Sequence, residues 1–514
     1  MPLDQESGHP RRWPALAVLC ASLVITTIDN TVLNTALPAL ARALSASTAD
    51  LQWINNSYTL VFASMLIVAG GLGARFGHRR ALVGGLVVFA AGSVAAATAT
   101  GTGQLIGYRA VMGLGAALIM PATLSMIVAL FGPRERPKAI AIWSATAGIG
   151  IVVGPVLGGV LLEHFSWSSA FWINVPLVGL ALVAALTLIP ALPGHRGGRF
   201  DVPGLLLSTA GLAALVDAIV HGPERGWLST TSLAEAGAAA VLLTAFALWE
   251  LRAAHPMVDI RVFGNPAFSV ASLTLAVTFF ALFGALFVYT QYLQLVHGYS
   301  PLQAGLGALP FALSMAATAG TSALVAARLG VRYTIGAGLV TMAVGLGGVS
   351  LTTVGTPFWV LALTMGVTGA GMGLIMAPAS EATIAATPPD RAHTVSSING
   401  VVRELGGVLG IAVVGSVVSA VYRARLAGDL PAAPARATED LTAAHVLAGH
   451  LPPASGAELL TAADRAFTAA MGQGALVCAG IALVGALATL RWLGRPSRAA
   501  VVEPAPRAEH QPVS

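Results

Sequence analysis

Apolar runs of about the length an α-helix needs to cross a bilayer follow one another along nearly the whole chain, separated by short polar stretches. A span takes about 20 apolar residues. Fourteen segments meet that description: 13–37, 51–72, 81–100, 104–130, 139–162, 169–190, 202–220, 232–249, 267–296, 301–327, 333–354, 356–380, 395–421 and 471–490. The pattern predicts helices throughout and an all-α integral membrane protein. Transmembrane β-barrels are excluded, because their strands alternate over only about ten residues.

Two stretches repeat. Ala74–Arg79, after segment 2, matches Ala327–Arg332, after segment 10, at an offset of 253 (327 − 74). Gly113–Met120 in segment 4 resembles Gly369–Met376 in segment 12, at an offset of 256 (369 − 113). Two independent matches at nearly equal offsets argue for a duplication. Even-numbered segments matching even-numbered ones keep the same direction across the membrane, so the halves are parallel repeats about an axis along the membrane normal. This divides the chain into an N-terminus (1–12), a six-helix bundle (13–195), two inserted helices (196–260), a second six-helix bundle (261–493) with an external loop at 422–470, and a tail (494–514) that reads as disordered. Within the loop, Glu458–Ala470 has the pattern of a short surface helix.

Composition agrees with this picture: 56% of the 514 residues are hydrophobic, 10% are charged, and the mean hydropathy is +0.79. The first run is too long for a signal peptide, lacks a small-residue cleavage site and carries Asp29, so it is expected to stay in the mature protein with the N-terminus in the cytoplasm. Most of the 27 Lys and Arg then fall on cytoplasmic segments, and the C-terminus is cytoplasmic too. Topology therefore accounts for the net charge of +5, and no nucleic-acid partner is needed. Cys20 and Cys478 both lie within helices, where they read as buried thiols and offer neither a disulfide framework nor a metal cluster.

Enzyme and nucleotide chemistry find no foothold. The single lysine, Lys138, follows Pro137, so the chain has no Gly-Lys-Ser/Thr phosphate loop, and neither a His-Glu-x-x-His nor a Gly-x-Ser-x-Gly motif occurs. With no cofactor or ATP expected, a gradient or a partner must supply the energy. Asp29 lies past the middle of segment 1 on a polar arc with Thr26, Asn30 and Asn34. An acid at that depth is expensive and belongs in a protein interior or water cavity. It reads either as a proton carrier or as a structural acid bonded to its neighbours. Arg109, in the outer half of segment 4, reaches a similar level and is a candidate partner. Arg403 and Glu404 in segment 13 point about 100° apart, so at least one of them faces the space between the bundles; a packing site with incidental charges is the plainer alternative. Asp217, in the inserted pair, reads as a solvated helix-end acid, and Glu163, Glu235, Glu250 and Glu381 as interfacial. Trp53, Tyr58, Tyr289, Gln291, Tyr292 and Gln294 line an aromatic cavity or else form an interfacial belt. In segment 5, Gly150, Gly154 and Gly158 recur every four residues beside Pro155 and Gly159. This makes a ridge free of side chains with a proline set into it, expected to serve as a pivot more than as a plain packing face.

Taken together, these motifs resemble the fourteen-helix drug and proton antiporters of the major facilitator superfamily, the group with the EmrB and QacA transporters. The resemblance spans roughly residues 13–493. It rests on Ile28–Pro38, on Gln52 and Trp53 with Tyr58, on Trp167–Pro176 with Phe171 and Asn174, and most specifically on the glycines and Pro155 of segment 5. It implies that Asp29 and Arg109 take part in proton coupling and that the segment 5 glycines limit leak; Glu404, by its own position, is a candidate to carry a second proton or to attract a cationic substrate. It also implies that the substrate sits between the bundles near Asn34, Trp53, Tyr58, Tyr289, Arg403 and Glu404, and that the loop bearing Gly70, Leu72, Arg75, Gly77 and Arg79 gates. Two departures stand out: Ala74 replaces the Asp usual in that loop, and Met112 the Gln usual in segment 4. Segment 10 lacks the acid that some exporters of divalent cations use, which leans toward neutral, monovalent or amphipathic substrates. The expected function is proton-coupled efflux of hydrophobic or amphipathic small molecules across the cytoplasmic membrane by alternating access, the chain acting as a monomer. The alternative is a proton symporter importing a nutrient; a membrane protein that transports nothing is a more distant one.

Overall fold

A computed structural model of the chain describes residues 9–132, 135–190, 201–253, 260–386, 392–431 and 433–493. The expected tail 494–514 and most of the N-terminus 1–12 lie outside them. The described residues form helices α1 (Arg12–Leu44), α2 (Thr48–Phe76), α3 (His78–Ala97), α4 (Thr102–Leu130), α5 (Arg136–His164), α6 (Ser169–Trp172), α7 (Asn174–Leu188), α8 (Val202–Arg225) and α9 (Thr230–Arg252). They continue with α10 (Pro266–Gln291), α11 (Pro301–Gly307), α12 (Leu309–Leu329), α13 (Val331–Val349), α14 (Phe358–Ala385), α15 (Ala392–Asp429), α16 (Leu441–Ala448) and α17 (Pro453–Trp492). Helix occupies each of the fourteen predicted segments, with segment 6 divided into α6 and α7 and segment 10 into α11 and α12. Among the described residues, eleven helices are long and apolar enough to cross a membrane.

The duplication is visible in the packing. α2 and α3 lie on α4, α1 on α5 and α3 on α7; in the other half α12 and α13 lie on α14, α10 on α15 and α13 on α17. The same correspondence holds residue by residue. Ser47 caps α2 in a capping box with Asp50, and Ser300, 253 positions on (300 − 47), caps α11 in one with Gln303. Gly77 and Gly330, also 253 apart, take left-handed φ of 94° and 87° and end α2 and α12 by donating to the Gly73 and Ala326 carbonyls. A Cβ on Gly113 would strike the Tyr58 carbonyl, and one on Gly369 the Phe311 carbonyl. Glycine is what lets these helix pairs come backbone to backbone.

The ridge in α5 packs chiefly within its own bundle. Gly150, Gly154 and Gly158 face Thr27, Thr31 and Val32 of α1, within their own bundle. Their counterparts Gly406 and Gly410 in α15 face Ala276 and Phe280 of α10 in the same way. Small residues spaced by four bind a helix to its neighbour, and here that neighbour is intrabundle. Gly159, against Leu302, and Pro155, whose carbonyl lies on Gly305, reach across to the second bundle.

Two seams join the bundles: α2 against α15, and α5 against α11. Gln52 donates from Nε2 to the Ile411 and Ala412 carbonyls at 3.2 and 3.3 Å, and Gln294 to the Thr35 carbonyl at 2.9 Å. These hydrogen bonds lie toward the end of the molecule where α1, α5 and α10 finish and α2 and α11 begin, while the α2–α15 seam continues to Leu66 beside Gly400. That end is closed. The inserted pair stands outside, α8 packing on α9 and on both α2 and α15.

The 422–470 stretch is more ordered than a loop. α15 runs on to Asp429, α16 follows, and Glu458–Ala470 is the first part of α17 rather than a separate surface helix. With Pro452 and Pro453 starting the helix and no breaker after them, it continues without interruption into the last span. A Gly159→Val substitution places a Cβ 2.5 Å from the Leu302 Cα. Spin labels at the closed ends of α5 and α11 are expected to show a longer, broader distance distribution in this variant than in the wild type.

Candidate functional site

Asp29 and Arg109 meet in the middle of the first bundle, 2% and 0% exposed. The carboxylate Oδ2 lies 2.6 Å from Arg109 Nη1. Its other oxygen, Oδ1, accepts from Asn174 Nδ2 at 2.7 Å, and Asn174 also donates to Ser93 Oγ at 3.0 Å. Ser93 in turn donates to the Phe171 carbonyl at 2.8 Å. The guanidinium is satisfied on its remaining sides: Nε donates to the Ile54 carbonyl at 3.3 Å, Nη2 to Asn30 Oδ1 at 3.4 Å, and its face lies 4.3 Å from the Tyr58 ring centroid. Four helices, α1, α2, α4 and α7, thus converge on one ion pair. Gly113, one turn from Arg109, brings α2 close enough for this. Met112 packs against Gly92 of α3 instead, so Arg109 draws its neighbours from α1 and α2.

A polar chain leads from the pair toward the closed seam. Asn34 donates to the Asn30 carbonyl at 3.2 Å and accepts from Asn55 Nδ2 at 3.0 Å. Asn34, Thr31, Thr35 and Pro155 of the first bundle face Tyr289, Thr290 and Phe311 of the second across a cavity of about 20 Å³. That volume holds about one water. Two sequence candidates, Asn34 and Tyr289, therefore meet at the interface between the bundles. Tyr289 belongs to α10, which ends in a turn of wider π-helix at Tyr292–Val296 carrying Gln294.

The two charges of α15 diverge. Arg403 lies 5.2 Å over the Phe279 ring of α10, inside its own bundle. Glu404 lies within electrostatic reach of the Tyr58 hydroxyl across the seam, and its enclosed Oε2 has no hydrogen-bond partner. Tyr58, stacked on Phe62 at 6.1 Å, stands between this acid and Arg109. Trp53 is placed differently from expectation. It packs with Ala49, Val216, Val220, Val408 and Ala412 where α8 meets the seam, not on the central cavity. α2 turns only one face to the other bundle, and Gln52 occupies it.

The residues after α2 serve the first bundle. Arg79 donates to the Leu186 carbonyl of α7, Arg75 stacks on Phe76 at 5.5 Å, Gly70 lies near Pro121 of α4, and Leu72 is half-buried. Sequence reasoning put no role on Asn174 beyond the pattern around it, nor on Gln52 and Gln294 as bridges. A polar residue at the first position of a span was the available signal for Asn174.

Two helical bundles of matching packing that meet along a seam, one of them built around a buried ion pair, fit a membrane transporter. Comparison with known proteins agrees with that class. The Major Facilitator Superfamily profile matches residues 19–411. The multidrug resistance protein Stp of Mycobacterium tuberculosis is 34% identical over 83% of this chain and 79% of its own. The tetracenomycin C resistance and export protein of Streptomyces glaucescens is 32% identical over 93% and 91%. The multidrug efflux pump LfrA of Mycolicibacterium smegmatis is 34% identical over 93% and 95%. Among solved structures, a bacterial homologue of the human lysosomal transporter Spinster, inward-facing and unoccupied, aligns with a TM-score of 0.66 at 19% identity over 95% of this chain and 99% of its own. The chain belongs to the Major Facilitator Superfamily.

Removing one member of a buried ion pair strands the other, at a cost of about 3–5 kcal/mol. Arg109→Met is therefore expected to lower thermal stability more than the Asp29→Asn, Arg109→Met double variant does, measured by melting of the purified protein in lipid nanodiscs. Additive losses would mean that the two side chains do not act as a pair.

Proposed function

We propose that the chain is a proton-driven exporter of hydrophobic or amphipathic small molecules, working by alternating access in the cytoplasmic membrane. The observation that carries this reading is the buried Asp29–Arg109–Asn174 cluster in a chain whose similar proteins are named for drug resistance and efflux. In this reading the chain has fourteen spans with both termini in the cytoplasm, divided at the boundaries given above, and works as a monomer without ATP, cofactor or nucleic acid. The closed end is then the external one, and the described conformation faces inward.

The chemistry follows from the pair. An ionised Asp29 holds Arg109 by charge and Asn174 by a hydrogen bond; a protonated one loses the charge attraction and frees the guanidinium to seek Ile54, Asn30 and Tyr58 alone. For a proton to drive transport it must bind the two facing states with different affinity. Asp29 meets that condition if opening the outer end admits water to it. Glu404, enclosed at the opposite side of Tyr58, is the second acid able to sense the exchange. Drug-sized sites run to 300 Å³ and more, so the cavity between Asn34 and Tyr289 takes a substrate only as the bundles part. Its walls, Tyr289, Phe311 and Leu286 with Thr31 and Thr290, suit an amphipathic molecule.

In a pump-deficient host, wild-type chain is expected to raise tolerance to several amphipathic drugs, an uncoupler to abolish the gain, and Asp29→Asn to return tolerance to that of the empty host. Full gradient-driven efflux by Asp29→Asn would remove Asp29 from the coupling step.

A further inference from the structure

The repeat makes the two seams between the bundles equivalent, α2 on α15 matching α11 and α12 on α5, yet their residues differ. By the offset of 253 that relates Tyr58 to Phe311 (311 − 58), Gln52 corresponds to Gly305 and Asn56 to Leu309. By the offset of 256 that relates Gly150 to Gly406 (406 − 150), Glu404 corresponds to Gly148. One seam therefore carries an amide and an acid where the other carries a leucine and a glycine. The shared fold requires neither polar group.

Asn56 is 0% exposed, and among the described residues neither its Oδ1 nor its Nδ2 has a hydrogen-bond partner. Four residues carry a helix one turn and about 40° further, so Asn56 lies between the directions of Gln52 and Trp53. Gln52 bonds α15 and Trp53 packs where α8 meets it, so the amide between them is turned into the seam. α15 runs antiparallel to α2, with Gly415 beside Gln52 and Gly400 beside Leu66, which sets Asn56 at a level between Ala412 and Glu404. Asn55, one residue back, turns to α1 instead and donates to Asn34. The enclosed Oε2 of Glu404 is likewise without a partner among the described residues. The outer stretch of this seam is thus bonded, and the stretch inside it holds two orphaned polar groups.

An enclosed amide without a hydrogen bond has lost its water and gained no partner, so it destabilises whatever arrangement encloses it. Here that arrangement is the closed seam. Parting α2 from α15 lets water reach both amide atoms and removes the penalty. Gln52 acts in the opposite sense, because its bonds to the Ile411 and Ala412 carbonyls form on closing and are lost on opening. We propose that Asn56 is a positioning residue that weakens the α2–α15 seam, so that the closed arrangement stays within reach of the open one. Leu309 shows that this fold has an apolar alternative and uses it in the equivalent seam. The place of Asn56 in a transport cycle rests on the alternating-access reading; its effect on the seam does not.

The test uses the full chain in lipid nanodiscs and two variants: Asn56→Leu, which sets methyl groups in place of the amide O and N on the same branched frame, and Asn56→Ala, which adds no bulk. Asn56→Leu is expected to melt above the wild type, whereas Gln52→Leu, which removes bonds that exist, is expected to melt below it. A spin-label distance across the outer ends of α2 and α15 is read in whichever Asn56 variant melts higher. Its closed-to-open ratio is expected to rise about tenfold over the wild type, and to fall in Gln52→Leu. In an efflux assay the same Asn56 variant is expected to lose kcat with no rise in KM, because it lingers in the state that admits substrate from the cytoplasm. Melting at or below the wild type in both Asn56 variants means that the amide stabilises the folded chain, and overturns the proposal. A higher melting temperature with an unchanged distance ratio overturns the link to the seam. A wild type that exports nothing would sink the efflux reading alone, since the melting and distance results decide the seam without it.

Discussion

A carboxylate and a guanidinium withdrawn from water are stable only in each other's company, and the first bundle is arranged around that requirement. The desolvation of Asp29 and Arg109 is several kcal/mol per ion before any compensation. Asn174 and the Ile54 carbonyl supply the remaining hydrogen bonds, and the Tyr58 ring covers the guanidinium face. Ile54 and Tyr58 belong to α2 and Asn174 to α7, so with Asp29 on α1 and Arg109 on α4 the pair depends on the spacing of four helices. The glycines at 113, 150 and 154 make that spacing possible, since a Cβ at any of them would meet α1 or α2 at less than contact distance.

The second bundle repeats the backbone without the charges. By the offset of 249 that relates Gly150 on Thr27 to Gly406 on Ala276 (276 − 27), the position equivalent to Asp29 is Thr278, which is fully buried and donates to the Thr274 carbonyl of its own helix. By the offset of 256, Arg109 corresponds to Met365 and Glu404 to Gly148. The two halves thus share how their helices touch, while Asp29 and Glu404 stand at positions that the repeat does not relate. A body with two similar halves and dissimilar charges has what a switch requires: two packings of near-equal energy, and groups whose surroundings differ between them.

Hydropathy and self-similarity made the fold legible, because span length and offset are properties of the sequence alone. Asp29 and Arg109 stood out for the same reason: few side chains are costly enough at that depth to need explaining. What stayed hidden depends on which way a helix face turns. The spacing of Gly150, Gly154 and Gly158 specifies a close neighbour and says nothing of whether it lies in the same bundle, and it proved to be α1. Trp53 sits a single residue from Gln52, which is about 100° of rotation and enough to send one into the seam and the other toward α8. Asn174 stood out only as part of the Trp167–Pro176 pattern, because its partner lies 145 residues earlier in the chain. The continuous α17 was missed since its outer half is polar enough to read as loop.

The proton drive proposed above can be set against the hydrogen bonds at the closed end. The closed end is held by a few hydrogen bonds, from Gln52 and Gln294, each worth about 1 kcal/mol net. The glycine contacts beside them add shape more than adhesion, because lipid is as apolar as the helices it replaces. One proton crossing a membrane potential of 100 mV releases about 2.3 kcal/mol, and each pH unit adds about 1.4 kcal/mol. The bridge that must break and the free energy that can break it are therefore of the same order.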